Sequence, residues 1–439
     1  MKKIVFTGIW MACVLAGNAQ EVRRVSATEA LTMAEQNRKD IRNQAISESI
    51  AINEIAKINA RKAPQVTASL DYRYNMQLQR SVLPAGTIRP DAPTIIPLGT
   101  KYNITTGVNA SYDVFNPANR SDIKYAQKSI ELEKANTQKA VVDVRQAVLQ
   151  AYYDVLLGQE KVRFSSENLK RTEQYYQEGC VKYENRTILK SDLERLQLDM
   201  QNAHITYEED RKNLQLSQLY LANQMGLEPE ARVEASETLE TILQGLPEVT
   251  NLQRTSEQRV EITQEKLKLE QNQLDYTRQN KAYWPTVSVF ASWNAQHLNN
   301  NFGPFDANTW YPYSYVGLKV NATLFDGLQK ERSKTEYRFR AEQNQNTLAK
   351  LQSDMNYEWE SAKVELLNIR EKLKTAQENY QLAQQIVQTD SLRFGEGKIT
   401  AAELKNTEYS LATAQNNLMT SYYNLLVARL KYKKAIGEL

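Results

Sequence analysis

Residues 66–78 read VTASLDYRYNMQL, in which apolar and polar residues alternate without interruption. A period of two places successive side chains on opposite faces of a β-strand. A strand that is apolar on one face and polar on the other over this length is typical of a transmembrane β-barrel. We predict strands at about residues 65–79 and 101–115, separated by a proline-rich loop over residues 81–99.

The same plan returns in the second half of the chain. Alternation resumes after Pro285 and predicts strands at about residues 286–297 and 314–326. An aromatic cluster near these strand ends indicates an interfacial belt, the alternative being the aromatic edge of an ordinary sheet. The cluster comprises Tyr283, Trp284, Trp310, Tyr311, Tyr313 and Tyr315.

Two long helices follow each pair of strands. No proline occurs between Ala118 and Glu228 or between Leu328 and Leu439, and apolar residues recur there at spacings of three and four. One stripe reappears 211 positions later. It consists of Leu193, Leu196, Met200, Ala203, Tyr207, Leu214 and Leu221, matched by Leu404, Thr407, Leu411, Ala414, Leu418, Leu425 and Tyr432. The chain therefore reads as an internal duplication.

The order of these elements predicts the domain boundaries. Residues 1–19 have the basic start, apolar stretch and small residues of a signal peptide, in which Cys13 is a poor match to a lipoprotein site. Residues 20–225 form the first repeat and begin with one helix over residues 27–61. Residues 226–256 are a linker and equatorial segment, and residues 257–439 form the second repeat. Each long helix pair turns at a glycine-bearing tip, where Asn185 or Thr187, and Thr400, are candidate helix caps.

Composition excludes several classes of protein. The net charge is +3 without a basic tract, which argues against a nucleic-acid partner. No apolar run of 18 residues follows the signal segment, which argues against membrane-spanning helices. Once the predicted signal peptide with Cys13 is removed, Cys180 is the only remaining cysteine, so we expect no disulfide. His204 and His297 lie far apart in the sequence, so we expect no metal site. No catalytic arrangement or cofactor motif stands out, and we expect no enzyme activity.

Four strands are too few to close a transmembrane barrel. An open sheet edge in lipid leaves backbone groups unpaired, so several copies must share one barrel. Helices that continue from the strand ends would ring the same axis as a hollow cylinder. We therefore predict an α+β fold in which a long antiparallel α-helical coiled-coil barrel joins a transmembrane β-barrel that oligomerisation completes.

The whole mature chain resembles the TolC-type outer-membrane efflux proteins. The resemblance lies in the duplicated element order and in four short segments. These are residues 112–117 (YDVFNP), 322–327 (ATLFDG), 394–404 (FGEGKITAAEL) and 434–437 (KAIG). It implies a homotrimer with a twelve-stranded barrel in outer-membrane lipid, an equatorial domain and a helical tunnel in the periplasm. It also implies passive export with a periplasmic adaptor and an inner-membrane efflux pump or ABC transporter, as in tripartite efflux or type I secretion.

The resemblance also implies candidate functional residues. The family's periplasmic gate has two acidic rings, and the matching positions here are Glu403 and Asn406. Glu403 is either a ring residue or an ordinary solvated glutamate. Asp192 matches a family gate aspartate, whereas Phe394 and Ile399 replace its tyrosine and arginine partners. Lys398, Arg186 or Arg195 are candidate substitutes for those partners.

In the proteins of this family, periplasmic adaptors dock at the helix tips, and the resemblance implies the same here. The candidate contacts are Gly179, Val181, Lys182, Gly397, Lys398, Ile399 and Thr400. A soluble periplasmic coiled-coil scaffold or adaptor without a pore is the alternative function. The cargo stays open among drugs, metal ions, peptides and proteins.

Overall fold

The computed structural model describes residues 23–88, 91, 93–228, 231–244, 259–304 and 306–439. The predicted signal peptide lies outside these residues. The first elements are β1 (Arg23–Val25), α1 (Ala27–Asn37), α2 (Lys39–Ala60), β2 (Gln65–Tyr74), β3 (Gln79–Leu83), β4 (Thr94–Leu98), β5 (Tyr102–Phe115), α3 (Pro117–Glu184) and α4 (Lys190–Gln224). The later elements are β6 (Val233–Ala235), α5 (Leu239–Gln244), α6 (Val260–Lys281), β7 (Thr286–Asn299), β8 (Trp310–Asn321), α7 (Gln329–Gly395) and α8 (Ala401–Ile436).

Both halves of the chain run through helix, paired strands and two long helices, which confirms the predicted duplication. Helices α3 and α7 contain 68 and 67 residues without a break. At a rise of 1.5 Å per residue, a straight helix of this length extends about 100 Å. None of the helices within the described ranges is apolar over enough of its length to cross a membrane.

Four antiparallel strands form one sheet in the order β2-β5-β7-β8, so the two halves of the chain pair directly through β5 and β7. The register is fixed by Cα partners such as Val66↔Ala110, Val108↔Trp293 and Ala291↔Val316. Because alternate residues share a face, one face carries the even-numbered residues of β2 and β8, those of β5 up to Tyr112, and the odd-numbered residues of β7. We call it the apolar face and the opposite one the polar face.

The apolar face is open in the isolated chain. Leu70, Val316 and Leu318 are 71%, 78% and 65% exposed. The polar face carries Thr67, Ser69, Asp71, Arg73, Asn103, Thr105, Asn109, Ser292, Asn294, Gln296 and Lys319. The predicted alternation of the strands is confirmed.

The helix predicted over residues 27–61 is wrong as a single element, because it breaks at Arg38. The backbone there is extended, with φ −64° and ψ 121°. The Arg38 guanidinium donates to the side chain of Gln224 (2.9 Å) and to the Asp40 carboxylate. The backbone at Gly226 also lies close to the break, since a Cβ on Gly226 would be only 3.0 Å from the Asn37 carbonyl carbon. These long-range contacts stabilise a break that the helical periodicity alone does not reveal.

The loop predicted over residues 81–99 is also wrong in part, because it contains strands of the β3–β4 hairpin. Pro97 lies within β4 opposite Arg80. A two-stranded sheet consists only of edge strands, and edge strands tolerate proline. The prolines therefore do not exclude a hairpin here.

The fourth strand of the sheet is shifted relative to its prediction, running over 310–321 instead of 314–326. Pro312 lies inside it, which the edge position of β8 permits. The register also places Tyr311, Tyr313 and Tyr315 on the polar face, opposite Gln296, Asn294 and Ser292. These three tyrosines therefore do not share a face with Trp310, which lies on the apolar face. The interfacial belt remains a prediction.

The chain divides into two compact units. The first contains residues up to 44, 136–262 and 351–439; the second contains residues 45–135 and 263–350, including the four-stranded sheet. In the first unit β1 pairs in parallel with β6 over a core formed by Val25, Tyr152, Leu156, Leu221, Met225 and Leu239. Residues 229–230 and 245–256 of the predicted equatorial segment lie outside the described residues, as do 257–258 at the start of the predicted second repeat. The boundaries predicted from the sequence remain predictions.

Candidate functional site at the helix tips

Two helix tips lie in the first unit, and they share one backbone pattern. At the first tip, between α3 and α4, Thr187 N–H donates to the Lys182 carbonyl (2.9 Å) and Arg186 N–H to that of Tyr183 (2.9 Å). The second tip, between α7 and α8, repeats both bonds 211 positions later. There Lys398 N–H donates to the Arg393 carbonyl (2.7 Å) and Gly397 N–H to that of Phe394 (3.0 Å). Arg186 and Gly397 are left-handed at φ 58° and 74°. Both tips therefore end their first helix with a Schellman motif.

The helices that begin at the tips differ in their capping. The Thr400 hydroxyl accepts from the Glu403 N–H (3.2 Å), and the Glu403 carboxylate accepts from the Thr400 N–H (2.8 Å). This reciprocal pair is a capping box, and it confirms Thr400 as a cap. Helix α4 instead begins after Leu189, which makes no side-chain cap. The alternative caps Asn185 and Thr187 are therefore wrong.

Thr187 stabilises the preceding helix instead. Its hydroxyl donates to the Lys182 carbonyl at 2.8 Å, which adds a second bond to an oxygen at the end of α3. Since C-terminal carbonyls of a helix lack intrahelical partners, this bond satisfies the end of α3 rather than the start of α4.

Lys182 connects the two tips. Its ammonium donates to the Phe394 carbonyl and lies 4.0 Å from the centroid of the Phe394 ring. Phe394 is only 2% exposed and packs with Tyr175, Leu196, Ala401 and Leu404. Burial lowers the pKa of Lys182, because desolvation disfavours the charged form. The lysine was predicted as an adaptor contact, and the structure uses its side chain to join the tips.

Two further charged contacts tie α8 to its neighbours. Arg171 of α3 forms a forked ion pair with Glu408 of α8, at 3.0 and 3.1 Å. The Tyr175 hydroxyl also donates to the Glu408 carboxylate (3.0 Å). Two effects raise the pKa of Tyr175: its burial, which is the larger, and the negative charge of Glu408. Lys405 of α8 pairs with Asp199 of α4 at 2.6 Å.

A cleft of about 620 Å³ lies between the tips. Of the predicted gate and adaptor-contact residues, it brings together Lys182, Asp192, Gly397, Lys398, Ile399, Thr400 and Glu403. Arg195 does not line it and lies 4.0 Å from Asp192 on the same helix. Asn406 lines a neighbouring groove with Leu382 and Tyr409.

The remaining predicted tip residues have local roles. Gly179 lies inside α3, where a Cβ would come within 2.5 Å of Leu196 Cδ1, so its small size permits close packing with α4. Val181 is 57% exposed. Ile399 packs against the cluster that surrounds Phe394.

Of the three substitutes suggested for the family's gate partners, Lys398 and Arg195 do not bridge the tips, and Arg186 lines the cleft. Lys398 pairs with Glu396 in its own turn (2.6 Å), and the ion pair of Arg195 is within α4. The bridging contacts come from Lys182, Arg171 and Lys405. Sequence reasoning missed these links because their partners are 212, 237 and 206 residues away.

Glu403 is an exposed carboxylate with a structural task. The Thr400 backbone N–H and then its hydroxyl hold the pKa of Glu403 below its usual range. The side chain therefore stays ionised at neutral pH while it caps α8. Across the described residues no group of three or more His, Cys, Asp or Glu side chains is arranged to hold a metal ion.

Comparison with protein families gives a match over most of the chain. The model of the family described as outer membrane efflux protein matches twice, over residues 30–227 and 251–438. The two matches correspond to the two copies in the internal duplication. No curated protein sequence matches the chain.

Solved structures of outer-membrane proteins share the fold. The Campylobacter jejuni CmeC outer membrane channel gives a TM-score of 0.69 at 14% identity, over 94% of this chain and 85% of that chain. The outer membrane protein VceC from Vibrio cholerae gives 0.68 at 15% identity, over 94% and 96% of the two chains. The open state of the Neisseria gonorrhoeae MtrE outer membrane channel gives 0.69 at 14% identity, over 94% and 88%.

Proposed function

Because this chain belongs to the outer membrane efflux protein family, we propose that three copies close their sheets into one barrel and conduct cargo passively out of the cell. The chain is an outer-membrane efflux duct by family and by fold. We infer that it transports without catalysing a reaction or binding a cofactor. The soluble scaffold is not favoured, because the family match covers both halves of the chain.

The observation that carries the trimer is the sheet itself. Its apolar face is exposed, and within the described residues neither β2 nor β8 has a partner strand on its outer edge. Backbone groups cannot remain unpaired in lipid. Pairing β8 of one copy with β2 of the next would satisfy both edges and present the apolar face to lipid around the whole ring. The polar face would then line the lumen.

We place the sheet in the outer membrane and the long helices in the periplasm. Straight helices of about 100 Å would reach far enough from the membrane to meet other components. A periplasmic adaptor and an inner-membrane pump or ABC transporter would then supply the cargo and the energy. Val181, Lys398 and the exposed Leu189 offer the adaptor a surface at the tips, together with Gly179, Gly397, Ile399 and Thr400.

The same tips would form the periplasmic gate. Glu403 remains charged and exposed beside the cleft, and threefold repetition would place three such carboxylates around one axis. Asp192 lines the same cleft, paired with Arg195, and Asn406 lies one turn beyond Glu403. In the closed state the Lys182 link would keep α7 against α3. The Arg171 and Lys405 ion pairs would keep α8 against α3 and α4.

The test is the protein mass of the particle extracted from washed outer membranes in mild detergent. Light scattering should give about three chain masses, with none of the protein in the soluble periplasm. In a planar lipid bilayer the particle should conduct ions. A soluble monomer or dimer would instead support the scaffold.

A further inference from the structure

Three tyrosines stand in a row on the polar face of the edge strand β8. Tyr311, Tyr313 and Tyr315 are 54%, 46% and 50% exposed. They are an exception on a face that otherwise carries mainly hydroxyl, amide and charged groups. We call them the tyrosine ladder. At about 3.3 Å per residue, the ladder extends along roughly 13 Å of strand.

Packing within the sheet orients these rings. The rings of Tyr313 and Tyr315 are within 16° of parallel, with centroids 6.4 Å apart. Phe290 of β7 meets Tyr315 edge-on, at 6.0 Å and 74°. Phe290 lies over Gly317, where a Cβ would come within 2.6 Å of its Cζ atom. The glycine thus leaves room for the ring that supports Tyr315.

Two of the three polar residues opposite the ladder, Ser292 and Asn294, are neutral and already hydrogen-bonded. The Ser292 hydroxyl donates to the Asn109 side-chain oxygen at 2.5 Å, and the Asn294 amide donates to Ser292 at 2.6 Å. Ser292 and Asn294 are only 6% and 7% exposed. Around Tyr313 and Tyr315, the groups exposed to solvent are therefore mainly the aromatic rings rather than the amide and hydroxyl groups opposite them.

The inference rests on the proposed function, in which the polar face lines the lumen. We propose that the tyrosine ladder is a binding track for flat aromatic groups on the cargo. Aromatic pairs form at centroid separations of about 4.5–7 Å, so an entering ring can pass from one tyrosine to the next. A passive duct needs sites that attract cargo and also release it, and several weak sites in series meet both needs.

The experiment compares two probes of equal charge and similar size on the reconstituted trimer. Benzyltrimethylammonium carries an aromatic ring, and cyclohexylmethyltrimethylammonium carries its saturated counterpart. The aromatic probe should block the single-channel current at a concentration about three- to tenfold lower. Tyr313→Leu combined with Tyr315→Leu should abolish this preference. Tyr72→Leu, on the apolar face of β2, is the matched control and should retain it.

Each other outcome has a distinct meaning. Equal block by both probes in the unmodified channel would overturn the proposed binding track. An unchanged preference for the aromatic probe in the double variant would overturn it as well. Loss of the trimer in the double variant would also overturn it, since the tyrosines would then serve packing between copies. A trimer that does not conduct at all would instead contradict the proposed duct.

Discussion

The two helix tips have the same backbone hydrogen bonds but different side chains at the turn and cap positions. Comparing them shows which features set the shape of a tip and which features vary between tips. Matching hydrogen bonds close both turns. The second tip uses residues suited to this geometry, with Gly397 in the left-handed position and Thr400 as cap. The first tip places Arg186 and Leu189 in the equivalent positions. Backbone bonding therefore sets the turn, and side-chain fit varies around it.

The first tip is the less stable of the two by these local criteria. A non-glycine residue in the left-handed region costs about 1–2 kcal/mol, and a missing side-chain cap costs about 1 kcal/mol. Departures from local rules concentrate at functional sites. The first tip is therefore the better candidate for a surface that moves or binds. Its position then depends strongly on the contact that Lys182 makes with the second tip.

The largest effect should come from breaking that contact. Lys182→Met keeps the length of the side chain and removes both the hydrogen bond to the Phe394 carbonyl and the cation–π contact. We expect a loss of about 1–3 kcal/mol of tip stability. Amide hydrogen exchange at the two tips should accelerate accordingly, and the mean single-channel conductance should rise as the entrance loosens.

Lys398→Met is the matched control. Among the described residues the Lys398 side chain forms an ion pair with Glu396, which belongs to the same turn, and so does not join the two tips. The variant removes the same charge from the neighbouring surface. If both variants changed exchange and conductance equally, Lys182 would not be a link between the tips.

Exchanging the left-handed residues tests the next effect. A Cβ on Gly397 would meet no atom within 4 Å, so Gly397→Arg introduces backbone strain without a clash. It should weaken the second tip by about 1–2 kcal/mol. Arg186→Gly should strengthen the first tip by less than 1 kcal/mol, since glycine also gains freedom in the unfolded chain. Opposite changes in hydrogen-exchange protection at 397–400 and 186–189 would bear this out; changes of the same sign would contradict it.

Exchanging the caps should have a smaller effect. Thr400→Leu removes the side-chain acceptor of the capping box and should destabilise the start of α8 by about 1 kcal/mol. Leu189→Thr should stabilise the start of α4 by about half as much, because Asp192 at the third position is shorter than the glutamate of a capping box. Exchange rates in the first turn of each helix report both changes. Equal stability in Leu189→Thr and the parent would show that the tip does not need the cap.

The comparison also shows what the sequence could predict. Alternation in β2 and β5, proline-free helices and the 211-residue repeat were enough to predict the duplicated fold, because each is a local periodicity. The break at Arg38 and the hairpin over 79–98 were not predictable in this way, since one depends on Gln224 and the other on strand pairing. The face of Tyr313 depends on a register that Pro312 obscured.

At the tips, local chemistry was predictable and long-range partners were not. Thr400 followed by Glu403 three residues later is a recognisable capping box, and glycine at 397 fits a left-handed turn. Nothing near Lys182 in the sequence indicates that its partner is Phe394. Such pairs follow only from the antiparallel packing of helices whose residues are more than 200 positions apart.

The smallest change in stability, and the sharpest test of the gate, comes from Glu403. Glu403→Gln retains the capping box, which accepts Glu or Gln, but removes the charge; Glu403→Ala removes both. If three Glu403 carboxylates form a ring, both variants should lower the cation selectivity of the channel, while only the alanine variant loosens the first turn of α8. Since the folded pKa of Glu403 is lowered, its contribution to stability is present above its usual pKa and is lost as the pH falls through the lowered value. Cation selectivity should decline over that same acidic range in the parent channel and stay flat in Glu403→Gln. Unchanged selectivity in Glu403→Gln would leave this side chain only its role as a helix cap.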